Sequence, residues 1–89
     1  MIVSVWDEIG CAWSEMELDI PCDVRDPELI NKAVGAEVVG DGPTCDEDES
    51  DSPDGWDVKS HSFTGPILTI ETRSDRNHLC IIVVNYEAQ

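Results

Sequence analysis

Positive charge is what this sequence has least of. Five Lys and Arg residues stand against twenty Asp and Glu in 89, a formal charge of −15. A chain so poor in bases repels nucleic acid and anionic membrane, which argues against direct binding of DNA or RNA. Long apolar runs are missing too. The opening stretch, Met1 to Trp6, has no basic segment before it and is far too short for a signal peptide or a membrane span. A soluble protein of the cytoplasm is the resulting expectation.

Chemical motifs are equally scarce. The cysteines at 11, 22, 45 and 80 are irregularly spaced, without the density of a secreted disulfide scaffold, and reduced thiols follow. No Cys-x-x-Cys or His-x-x-x-His pair exists, and the tightest soft-ligand spacing is His78-x-Cys80. Neither a Gly-x-Ser-x-Gly elbow nor a Gly-rich phosphate loop is present. The surplus of negative charge also opposes a cysteine thiolate. Catalytic residues, a resident metal and a cofactor are therefore not expected. A chain this short buries only roughly 60–65% of its unfolded surface, which leaves little volume for a deep substrate pocket.

What the sequence does have is acid, unevenly placed. Residues 1–57 hold 17 of the acids with only Arg25 and Lys32 as bases, whereas residues 58–89 balance Glu71, Asp75 and Glu87 with Lys59, Arg73 and Arg76. Residues 1–6 read as a short strand with Val3 and Val5 on one face and Ile2 and Trp6 on the other. Residues 13–20 alternate with period two. Ser14, Met16, Leu18 and Ile20 fall on one side, and Trp13, Glu15, Glu17 and Asp19 on the other, until Pro21 ends the run. Alternate strand residues lie about 6.6–6.8 Å apart, so these carboxylates form a row.

Asp26-Pro27 opens a helix, with Asp at the N-cap and Pro at the first helical position. Leu29, Ile30, Ala33 and Val34 supply its apolar stripe, and Gly35 its C-terminal stop; Val38-Val39 then reads as a short strand. Residues 41–55 form an acidic loop nearly free of apolar side chains, carrying Asp46, Glu47, Asp48, Glu49, Asp51 and Asp54. A calcium loop fails there. With Gly55 as the sixth position, Ser50 is the first and His61 the twelfth, so both terminal ligands are wrong.

Residues 56–64, 67–73 and 79–86 read as strands, with Ser74 to Asn77 as a hairpin connection. Leu79 to Val84 is apolar on both faces, which places that strand centrally. The fold class expected is α+β: one small domain over residues 1–89, an antiparallel sheet of four to five strands with one short helix on one face.

Trp13 shares its strand face with the acids and is the best candidate for an aromatic anchor on a partner. In size, charge and lack of catalytic motifs the chain resembles the acidic DNA mimics and anti-CRISPR inhibitors that phages encode. That resemblance implies an inhibitor acting in a host-cell cytoplasm by occupying the basic, nucleic-acid-binding surface of another protein. The expected contacts are Trp13, Glu15, Glu17, Asp19 and the acidic loop. Alternatives are an immunity protein or antitoxin against a basic nuclease toxin, and a small metal-binding domain built on His61, His78 and Cys80. An exposed edge strand leaves a homodimer open.

Overall fold

The computed structural model describes residues 1–8, 10–40, 56–74 and 77–89. Along the chain these form β1 (Ile2–Asp7), β2 (Ala12–Glu17), α1 (Pro27–Gly40), β3 (Asp57–Thr64), β4 (Ile67–Arg73) and β5 (Leu79–Asn85). The strands make one five-stranded sheet in the order β2-β1-β5-β4-β3, and every neighbouring pair is antiparallel. With the helix against one face, this is the α+β arrangement expected from the sequence.

Because β5 is apolar at consecutive positions, it tolerates neighbours on both edges and cover on its faces, and it takes the middle of the sheet. Ile82 sits between Val5 of β1 and Ile70 of β4, and Val84 lies opposite Leu68. Ile82, Ile70, Val84 and Leu68 have no exposed surface, and Ile30 of the helix closes over them with equally none. Met1, Val3, Val5, Leu18 and Val34 complete this core. The one buried hydroxyl among these strands is satisfied: Thr72 Oγ1 donates to the Cys80 carbonyl at 2.9 Å.

The helix begins as its sequence demands. The Ile30 amide donates to the Asp26 carbonyl at 3.0 Å, and the Glu28 amide to Asp26 Oδ1 at 3.1 Å, so Asp26 caps it. Its end differs from the expectation. The helix runs through Gly35 to Gly40 and takes in Val38 and Val39, so no strand forms there. An interior glycine costs about 0.5–1 kcal/mol relative to alanine, too little to stop a helix already anchored by Ile30 and Val34. Leu29 departs from the expected stripe as well, since it is 43% exposed. Asn31 Nδ2 donates to the Trp56 carbonyl at 3.0 Å and ties the helix to the entry of β3.

Strand β2 stops at Glu17 rather than at Ile20. Among the described residues its only partner is β1, which begins at Ile2 opposite Glu17, so the ladder has nothing further to pair with beyond Met1. Leu18 still donates to the Met1 carbonyl at 2.6 Å, and the Met1 amino group returns bonds to the carbonyls of Leu18 and Ile20. The β3–β4 hairpin turns on Gly65, whose φ of +61° matches the primed turns that fit strand twist. In the β4–β5 connection Asn77, at φ +66°, donates to the Ser74 carbonyl at 2.9 Å. None of the described helices is long and apolar enough to cross a membrane.

Candidate interaction surface

An antiparallel sheet puts residues that face each other across two strands on the same side of the sheet. The register therefore assembles two full rows on the side away from the helix. Trp13, Trp6, Ile81, Glu71 and Ser60 form one, and Glu15, Ser4, Val83, Thr69 and Ser62 the next. Glu17 and Ile2 face each other beside them on β1 and β2.

Three of the residues singled out in the sequence thus come together. Trp13, Glu15 and Glu17 project from the edge strand β2 on one side of the sheet, all exposed, with Trp13 at 57%. Edge position explains their exposure, because β2 has a neighbour on one flank only. The alternation that separates them from Met16 is the alternation of the pleat.

Asp19 is not part of that row. It lies beyond the end of β2 and lines a shallow groove of about 310 Å³ on the helix side, with Ile20, Leu29, Lys32, Ala33 and Ala36. The strand ends at Glu17, so the period-two argument cannot be carried to residue 19. Lys32 shares the groove and gives Asp19 a basic neighbour that Glu15 and Glu17 do not have there. Asp46, Glu47, Asp48, Glu49, Asp51 and Asp54, with the rest of the 41–55 loop, lie outside the described residues.

The soft ligands are scattered where they are described. His61 sits on β3 opposite Ile70, Cys80 on β5 opposite Thr72, and His78 just before β5. Among the described residues no three Cys, His, Asp or Glu side chains converge as a metal site would require. Cys11 and Cys22 are exposed free thiols. Burial pushes the Cys80 thiol up to about 11, its bond with Thr72 pulls it down, and the nearby Asp7 carboxylate raises it again. At neutral pH Cys80 is a protonated thiol packed against the core, in a poor state for nucleophilic attack.

Sequence reasoning missed two features. One is a small cluster on the helix side, where Arg25 lies 4.3 Å over the Tyr86 ring and Phe63 stacks on the same ring at 6.3 Å. The Tyr86 hydroxyl donates to the Val24 carbonyl at 2.6 Å, which pins the segment between β2 and α1 to the far end of β5. Only contacts distant in sequence reveal it. The other is the apolar character of the sheet face behind Trp13. Ile2 is 41% exposed there, and Trp6, Leu79, Ile81 and Val83 are half-buried. The signal for it was available, since a single helix covers one face of a sheet and β5 is apolar on two.

Charge on that face is mostly negative. Glu15, Glu17, Glu71 and Asp57 stand against Arg73, which pairs with Glu71 at 3.7 Å in a partly exposed contact. Such a pair contributes about 0–1 kcal/mol and leaves the field of the β2 edge unneutralised. Comparison of the chain with protein-family models, with curated proteins and with solved structures finds no match in any of the three.

Proposed function

We propose that this protein is an acidic inhibitor that occupies the basic, nucleic-acid-binding surface of a partner protein, in the cytoplasm of the cell that holds the partner. The observation that carries the reading is the grouping of Trp13, Glu15 and Glu17, exposed together on an edge strand in the acidic part of the chain. Glu15 and Glu17 leave the backbone about 6.6–6.8 Å apart, a spacing set by the pleated strand rather than by a flexible linker. A basic groove that evolved for phosphates meets there two carboxylates on one strand face, with an aromatic ring beside them.

Physical chemistry supplies the mechanism. A groove lined by Lys and Arg holds nucleic acid largely through release of condensed counterions. A folded polyanion presents competing charge, and its field steers the encounter before contact. Trp13 then adds an apolar and cation–π contact with an arginine of the groove. Bound in this way, the protein excludes nucleic acid by occupancy and needs no chemistry of its own.

The test is the salt dependence of partner capture. Affinity for a basic nucleic-acid-binding protein is expected to fall steeply between about 0.05 M and 0.2 M salt. Affinity indifferent to salt would reject the reading in favour of an uncharged contact.

A further inference from the structure

Strand β5 reads Leu79-Cys80-Ile81-Ile82-Val83-Val84, apolar at every position, as strands covered on both faces do. The fold covers one face. Ile82 and Val84 lie beneath the helix side with no exposed surface, while Leu79, Ile81 and Val83 point the other way and keep part of theirs. Trp13 and Ile2 extend that second apolar surface on β2 and β1. Among the described residues no element lies across it. Residues 41–55 hold seven acids and no Leu, Ile, Val, Met or aromatic side chain.

A second copy of the chain is a poor occupant. Each molecule carries −15, so two copies brought face to face repel one another. Charge complementarity selects a basic partner. The size of the surface selects its form. Strands of six or seven residues run about 20–24 Å. A helix of 14 residues, the length of α1 on the opposite face, spans about 21 Å.

Resting on the proposed binding of a basic partner, we infer that the open sheet face docks a basic amphipathic helix of that partner. The helix's apolar stripe seats on Trp6, Trp13, Ile81 and Val83, and its flanking Lys and Arg side chains meet Glu15 and Glu17. The partner is thus recognised by an apolar ridge bordered with positive charge, and not by positive charge alone.

The probes are two synthetic Leu/Lys peptides of identical composition, about 14 residues long, one with the leucines on a single helical stripe and one scrambled. Tryptophan emission of the full chain, summed over Trp6, Trp13 and Trp56, reports burial on this face, where Trp6 and Trp13 lie together. The striped peptide is expected to bind at least about tenfold more tightly than the scrambled one, with a blue shift. Trp13→Ala with Ile81→Thr should erase that preference, and Glu15→Gln with Glu17→Gln should weaken both peptides together. Thermal melts of each variant confirm that the fold persists. Equal affinity for the two peptides, or a preference that survives Trp13→Ala with Ile81→Thr, overturns the docking surface while leaving the charge reading in place. No effect of the two glutamine substitutions on either peptide defeats the charge reading as well. A dimer in sedimentation that Ile81→Thr dissolves would also overturn the inference, by naming a second copy as occupant.

Discussion

Ile81 and Ile82 are neighbours of identical chemistry in the central strand, and the pleat sends them to opposite surroundings. Ile82 faces Val5, Ile70 and the helix and has no exposed surface, whereas Ile81 stands between Trp6 and Glu71 and is half-buried. The helix-covered face of the sheet is a closed hydrophobic interior. The other face is almost as apolar along β1 and β5, but it is rimmed by Glu15 and Glu17. The first face therefore carries stability, and the second has surface left over for another molecule.

The largest effect belongs to the covered face. Ile82→Ala should cost about 2–5 kcal/mol of unfolding free energy, read from urea denaturation, because its cavity cannot drain to solvent. A loss well under 1 kcal/mol would mean that the interior is looser than its burial indicates.

Alkaline pH sharpens the contrast next. Cys80, on the covered side, has its thiol raised from 9.0 to about 11, chiefly by burial, and burial raises Tyr86 as well. The folded chain thus holds the Cys80 proton more tightly than the unfolded chain does. Its contribution to stability is complete below pH 9 and is lost as pH climbs through about 11. Melting temperature should fall across that window. In native protein at pH 8 alkylation should reach the exposed Cys11 and Cys22 well before Cys80.

Smaller again is the cap of the covering helix. Asp26→Ala removes the carboxylate that accepts from the Glu28 amide and should cost about 1 kcal/mol in the same denaturation assay. Least of all for stability is Ile81→Thr, which keeps a β-branched residue on a half-exposed site and should cost under about 1 kcal/mol. Its expected effect is on partner affinity. If Ile81→Thr proved as damaging as Ile82→Ala, the two faces would be equivalent and the comparison would fail.

Much of this architecture was legible in the sequence. Period two gave the phase of β1 and β2, the run Leu79 to Val84 gave the central strand, and Asp26-Pro27 gave the helix start. What local pattern could not give was where pairing stops. Gly35 looked like a stop, yet helical packing through Ile30 and Val34 carries the chain past it. Asp19 looked like a continuation of the acidic row, yet β1 offers β2 no partner beyond Met1, and the chain turns toward the helix. The Trp13, Glu15 and Glu17 grouping was readable because it depends only on alternation within one strand. The Arg25–Tyr86–Phe63 cluster was not, because its contacts join residues 61 and 23 positions apart, which no local periodicity encodes.

The proposed function rests on carboxylates of the β2 edge meeting positive charge on another macromolecule. Its most direct test is displacement of a labelled DNA oligonucleotide from a set of basic nucleic-acid-binding proteins, comparing the native chain with Glu15→Gln/Glu17→Gln. The native chain is expected to release the DNA from at least one of them, and the doubly neutralised chain to do so far less well. Equal release by the two chains, or none across the whole set, would contradict it.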